Sequence, residues 1–220
     1  MSGFKSVLVL AAVFATATPV LAQVKGGEDE TGAYEVVEGW PQPWSKPGYI
    51  WGSQPAVFAQ SPDRIFIGMR GELKAPEPAP RGFNGSWGST GQRATEPKAE
   101  LRNSIIVVDR AGKLLEAWTQ WDQLFEGSSP HKIRISPYDP QKHVWVVDGT
   151  NARLLQFDKN GKRLYFWGTY GMQPGQFWEP HQVSIDGEGN LYVADSFGGR
   201  TQKYAPSKSG DRTKLLVPVK

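Results

Sequence analysis

The chain has 220 residues, of which 39% are hydrophobic, 12% aromatic and 21% charged, a globular composition that excludes a disordered chain. It has no Cys, which excludes disulfides, thiolate metal sites and Cys nucleophiles and leaves any metal to three His or to oxygen ligands. A net charge of +3 is too small to argue for a nucleic-acid partner, and nine Trp with 25 Gly and 17 Pro favour short strands and frequent turns over long helices.

Residues 1–22 begin with Lys5, continue as an apolar run from Val7 to Leu21 and end in the small residues around Ala22. This pattern predicts a signal peptide cleaved after Ala22. The run is shorter than the roughly 20 residues a membrane span needs, and Pro19 interrupts it. No later run is long enough to span. Export without Cys fits a secreted or periplasmic protein of a bacterium. It also removes intracellular DNA and RNA from the expected partners. Residues 23–39 are acidic, with Glu28, Asp29, Glu30, Glu35 and Glu38 against Lys25, and predict a tail leading into a strand near Tyr34–Val37.

From residue 40 the chain repeats itself at about 50 residues. Pro130-His131-Lys132-Ile133-Arg134-Ile135 matches Pro180-His181-Gln182-Val183-Ser184-Ile185, and Val144–Asp148 matches Leu191–Asp195. Asn151–Phe157 then matches Gly198–Tyr204. Asp109–Lys113 matches Asp158–Lys162, and Trp118 matches Trp167 at the same offset. The front half of the first copy is degenerate, with Pro55–Val57 and Ile65–Ile67. Each copy holds short runs rich in Val, Ile, Phe, Tyr and Trp. In the middle copy these are Lys132–Ile135, Val144–Val147, Leu154–Phe157 and Leu164–Trp167, divided by turn signals at 137–140 and 158–161. Four antiparallel strands recurring at this period predict an all-β fold, a β-propeller of four-stranded blades. The units are a first blade over 40–121, a second over 122–171 and a third over 172–220. Residues 71–103, rich in Pro and Gly, interrupt the first blade as either a flexible insertion or a partner-binding arm, with Phe83 and Trp87 as its adhesive residues. Three blades of an expected six imply a fragment of a longer reading frame, or two chains completing one ring.

The motif Gly175-Gln176-Phe177-Trp178-Glu179-Pro180-His181, followed by Gly189–Asp195 and Arg200, resembles the NHL repeat of six-bladed propellers. Within that superfamily the chain is most similar to the peptidyl-α-hydroxyglycine α-amidating lyase branch and its bacterial relatives. The resemblance implies a zinc centre with His ligands from the Pro-His positions of different blades, here His131 and His181, together with a structural calcium. It also implies C–N cleavage of a peptidyl-α-hydroxyglycine. The sequence departs from that pattern. Thr150 and Phe197 stand where the family has a Tyr, and Ser196 stands where it has an Arg.

The residues themselves set further expectations. A Pro-His pair opening an inner strand aims its imidazole at the axis, and imidazole suits zinc. Alternatively these are channel-lining histidines hydrogen-bonded to neighbouring blades. His143 follows the turn after the inner strand, roughly 15–20 Å from His131, and cannot be a third ligand. Arg153 and Arg200 recur once per blade and serve either an interblade hydrogen-bonding or ion-pair role or a substrate carboxylate. Asp148 and Asp195 are expected to accept turn amides, Trp118 and Trp167 to pack between blades, and Asp186–Asn190 to form a hairpin turn. Two functions follow: an exported propeller binding a small molecule or peptide at its axial funnel, or a zinc-dependent lyase completed by further blades. A calcium-dependent lactonase-like propeller would need oxygen ligands where Pro-His stands.

Overall fold

The computed structural model describes residues 34–74, 100 and 102–215. The predicted signal peptide, most of the 71–103 insertion including Phe83 and Trp87, and residues 216–220 lie outside the described residues. The chain divides into two units, 1–38 and 39–220. In the first, Tyr34–Val37 forms no strand, which corrects the expectation. Tyr34, Val36 and Val37 are all exposed, and a lone apolar alternation without a partner strand has nothing to bond its backbone.

The second unit is built from antiparallel sheets. β2 (Ala56–Ser61), β3 (Arg64–Gly68), β5 (Ile105–Val108) and β6 (Leu114–Ala117) form the first, in the order β2-β3-β5-β6. β7 (Pro130–Ile135), β8 (Val144–Asp148), β9 (Arg153–Phe157) and β10 (Arg163–Trp167) form the second. β11 (Pro180–Ile185), β12 (Leu191–Asp195) and β13 (Arg200–Tyr204) form a third sheet of three strands among the described residues. Neighbouring first strands lie side by side, β2 against β7 and β7 against β11, as the innermost strands of propeller blades do. The fold is all-β and propeller-like.

Period-2 alternation explains how the sheets stack. Val144 and Val146 of β8, with Ile133, Ile135, Leu155 and Phe157, pack against Ala56, Phe66, Ile105 and Val107 of the first sheet. The intervening Trp145 and Val147, with Leu154, pack the other way onto Val183, Ile185, Leu191 and Val193 of the third. The middle blade is therefore apolar on both faces, and sliding a strand by one residue would exchange its two neighbours. Trp118 sits between the first two sheets, 5.6 Å from Phe66 and 5.5 Å from Phe157. Trp167 holds the matching place beside Phe177 and Tyr204, at 5.4 and 5.2 Å.

The far face of the first sheet is covered by the segment that precedes it. Trp40 and Trp44 pack on Ile65, Ile67, Ile106 and Val108, and Trp44 stacks on Trp51 at 4.1 Å. β1 (Tyr49–Trp51) pairs with β4 (Glu72–Lys74), a small sheet that the repeats do not announce. It clamps the base of the insertion. Glu72 bridges to Glu100 through paired backbone bonds, and the Glu100 carboxylate accepts from Lys46 at 2.6 Å and Tyr49 at 2.5 Å. A 3-10 turn at Thr119–Phe125 then presents Asp122, whose carboxylate accepts the Asn103 and Ser104 amides where the chain re-enters β5.

One hairpin design recurs. Asp109, Asp158 and Asp186 each accept, on Oδ1, the amides two and four residues on. The residue three positions on is Gly112, Gly161 or Gly189, at φ 77°, 82° and 87°, a left-handed conformation that glycine adopts without steric cost. Asp186 also accepts from Asn190 Nδ2 and Tyr192 Oη, and these donors, the Asn190 side chain first, hold its carboxyl at about 2. The 186–190 segment is thus a hairpin turn, as expected from its residues.

Candidate functional site

The two Pro-His pairs lie on β-bulges. In the second blade Pro130 pairs with Asp148 and Lys132 with Val147, so His131 is the extra residue. In the third, Pro180 pairs with Asp195 and Gln182 with Ala194, so His181 is the extra residue. A bulge bends its strand and re-aims the side chain it carries. Here it brings the two imidazoles together, with ring centroids 4.6 Å apart. His131 is buried at 1% exposure, and His181 is partly open.

A third group joins them from the first blade. Arg70 follows β3, and its Nη2 donates to His131 Nε2 at 3.2 Å while its Nε donates to Ser129 Oγ at 3.1 Å. A guanidinium only donates, so His131 Nε2 must be the acceptor and Nδ1 carries the proton. That Nδ1 is buried without a hydrogen-bond partner, and Glu179 Oε1 stands 3.9 Å away. Burial, then the neighbouring His181 and Arg70 charges, push the His131 pKa down to about 4. His131 is therefore neutral at ordinary pH and Arg70 is the fixed charge of the cluster. Arg70 itself stays exposed to solvent.

The register explains why the repeat does not disclose Arg70. Gly68, Asp148 and Asp195 are equivalent, each pairing with the first residue of its blade's inner strand. Two residues on stand Arg70, Thr150 and Phe197. The first blade has Gly68 in place of the Asp that marks the other two, so its Arg does not stand out as a blade position. Gly68 has a packing reason, since a Cβ there would lie 2.8 Å from Pro130 Cγ. Strand register, rather than the Asp, is the signal that locates Arg70.

Gly149 is the other residue the motifs miss. A Cβ there would lie 2.3 Å from His131 Nδ1 and 2.5 Å from Cε1. Gly149→Ala is expected to push the buried ring from its place and to cost about 1–3 kcal/mol, the usual penalty for overpacking. Thermal melts and the His131 imidazole resonances check this, and an unchanged ring environment would contradict it.

The remaining sequence candidates lie apart from the imidazole pair or are engaged within their own blades, which corrects the interblade role expected of Arg153 and Arg200. Arg153 binds Asp148 Oδ2 through Nη2 at 2.5 Å and Nε at 3.1 Å, and the Leu124 carbonyl at 2.8 Å. Arg200 binds the Gln176 carbonyl at 2.8 Å, the Met172 carbonyl, and Asp195 at 3.4 Å. Asp148 accepts from Arg153 and Asn151, and burial raises its pKa above the ordinary value against these opposing contacts. Asp195 accepts the Trp178 and Glu179 amides. His143 caps the opposite end of the blade, where its Nδ1 meets Asp139 Oδ2 at 2.9 Å. Thr150 and Phe197 are both exposed, and Phe197 closes an edge-to-face row with Trp178 at 6.3 Å and Tyr170 beyond it. That row adjoins Glu179 and the Pro180-His181 bulge in sequence.

Among the described residues no three His, Asp or Glu side chains stand together as a metal cluster. The imidazole pair supplies two nitrogen ligands at most, and the lone pair of His131 Nε2 already receives Arg70. The described residues as arranged do not by themselves fit a zinc centre.

No known family profile matches the chain. It is similar to a peptidyl-glycine alpha-amidating monooxygenase B from Xenopus laevis, 33% identical over 93 residues that make up 40% of this chain and 10% of that protein. It is also similar to NHL repeat-containing protein 3 from Homo sapiens, 33% identical over 64 residues, 28% of this chain and 18% of that protein. The similarity thus takes in about a tenth and a fifth of those relatives' lengths. Together with the sheets, these similarities support an NHL-like propeller. Among the described residues no helix is long and apolar enough to cross a membrane.

Proposed function

We propose that this chain belongs to an exported NHL-type propeller that binds a small carboxylate-bearing ligand, or the carboxyl end of a peptide, where Arg70, His131 and His181 converge. One observation carries the reading: a solvent-exposed guanidinium is held on a neutral, buried imidazole with a second imidazole 4.6 Å from the first. Arg70 is fixed through Nε and one Nη2 contact, which leaves further donors of the fork for an anion. The exposed pair of Trp178 and Phe197, of which Trp178 precedes Glu179 and Pro180 in sequence, is the apolar surface we assign to the ligand's body. The test is calorimetric titration of the protein with a short peptide bearing a free carboxyl terminus and with the same peptide amidated. The free acid is expected to bind at least about tenfold more tightly, and Arg70→Gln to remove that preference. Equal binding of the two peptides, or a preference that survives Arg70→Gln, would reject it.

The second reading is a zinc-dependent lyase of the peptidylamidoglycolate type, favoured by the two Pro-His bulges meeting and by the amidating relative. His131 and His181 would be ligands, and residues beyond those described would complete the set. Metal analysis of the intact protein decides between the two. Stoichiometric zinc that disappears in His181→Ala favours the lyase, and a metal-free protein that still binds the peptide favours the binding role. The same measurement reports any structural calcium.

A further inference from the structure

The inner strand β7 has its other end at Ile135. At the end opposite His131, a cavity of about 410 Å³ opens between the first two blades, lined by Phe58 and Gln60 of β2 and by Arg134, Ser136 and Lys142 of the second blade. Two cations face it and no acid lines it. Among the described residues, neither the Arg134 guanidinium nor the Lys142 ammonium has a carboxylate partner. Arg134 rests on the Phe58 ring, 5.8 Å from its centroid, and its Nε is buried with no hydrogen-bond partner. A buried, unanswered donor on a charged group is costly, and the natural remedy is an anion that enters the cavity.

The turn that carries Lys142 points the same way. Asp139 accepts the Gln141 and His143 amides at 2.9 Å each, and the Lys142 amide donates to the Asp139 carbonyl. The turn shares with residues 109–113, 158–162 and 186–190 the capture of these two amides by one Asp, here divided between Oδ1 and Oδ2. Where those turns have glycine, this one has Lys142, held at φ 56°. A side chain in that conformation is strained, so glycine would serve the fold better. The nearest acid of the turn, Asp139, is committed to the turn amides and to His143. Lys142 stands where the fold asks for glycine, and its side chain lines the cavity beside Arg134.

We propose that this cavity is a second binding site, for a small dianion of the phosphate or dicarboxylate class, held between Arg134 and Lys142 against the Phe58 ring. Two cations call for two negative charges, and the cavity admits a molecule of a few heavy atoms beyond the anionic groups. The site stands on different residues from the Arg70–His131–His181 cluster and does not depend on that cluster's function.

Calorimetric titration with inorganic phosphate and, separately, with succinate tests it at low salt, in the wild-type protein and in Arg70→Gln. One site per chain is expected to remain in Arg70→Gln for at least one of the two dianions, with the tighter one identifying the ligand class; in the wild type succinate, a carboxylate, also reaches the Arg70 cluster. Arg134→Gln should weaken it at least about tenfold and Lys142→Gly about fivefold, as the loss of charge-assisted contacts requires. Lys142→Gly should do so without lowering the melting temperature, which separates lost binding from a damaged fold. The proposal is overturned if neither dianion binds below about 10 mM, if affinity survives both substitutions, or if Arg70→Gln abolishes the site.

Discussion

Trp118→Ala is expected to destabilise the protein by about 3–5 kcal/mol, the range for removing a large buried aromatic. Trp118 is 3% exposed and touches both blades it joins, at Phe66 and Phe157. Its Nε1 donates to Glu116 Oε2 at 3.0 Å, and Gly161 of the next blade comes so close that a Cβ there would lie 2.7 Å from the ring. Backbone from one blade and β-sheet from the other surround the site, so neither can collapse far into the void. Trp167→Ala should cost clearly less. Its ring stands partly exposed and borders an open cavity of about 260 Å³ with Tyr165 and Tyr204, so part of its surface already lacks partners. Urea melts of both variants check the order. A Trp118→Ala loss no larger than that of Trp167→Ala would mean the first two blades do not depend on this contact.

These two tryptophans show what the sequence discloses well. They sit at matching offsets, with a glycine turn and an inner strand at matching offsets too, and a repeat read at that spacing yields the sheets nearly strand for strand. Alternation in Val144–Val147 likewise announces a strand apolar on both faces. What the repeat cannot show is any feature confined to one copy. The β1–β4 pair is short, comes from segments with no counterpart in the other blades, and depends on a partner strand that lies beyond the β2–β3 hairpin. The strand expected at Tyr34–Val37 is missing for the opposite reason: it has alternation and no partner.

The site is legible to a similar depth. The Pro-His pairs are visible as repeated text, but their bulges are not, because an extra residue exists only relative to the strand it faces. Arg70 is hidden by the Gly68 that replaces the blade's usual Asp, and that glycine answers to Pro130 of the next blade. Gly149 looks like an ordinary turn residue until the His131 ring is placed over it. In each case the missing information is a contact between strands or blades, which no single run of the repeat contains.

Acid should weaken the fold through His131. Its folded pKa of about 4 lies below the 6.5 of a free imidazole, because burial, then His181 and Arg70, oppose a charge there. Between those values the unfolded chain binds a proton that the folded chain refuses, so stability rises with pH across this window. The contribution is fully present above pH 6.5 and is lost progressively as pH falls towards 4. Each pH unit inside the window is worth about 1.4 kcal/mol, so about 2 kcal/mol should disappear between roughly pH 7 and pH 5, and about 3 kcal/mol at the acid limit. The carboxylates with lowered pKa values, Asp63, Glu100, Glu116, Asp186 and Asp211, lose their stabilisation mainly below this window, whereas Asp148, whose pKa burial raises, binds its proton more readily when folded and offsets part of the loss at the acid end. Urea melts at intervals across the same range, for the wild type and for His131→Gln, measure it. The variant keeps a polar side chain of similar reach without the titrating ring, so its stability should fall much less over the window than that of the wild type, even if its absolute value is lower. A wild type as flat as the variant would mean that Glu179, 3.9 Å from Nδ1, moves in to hold the protonated ring, and that Arg70 gives way.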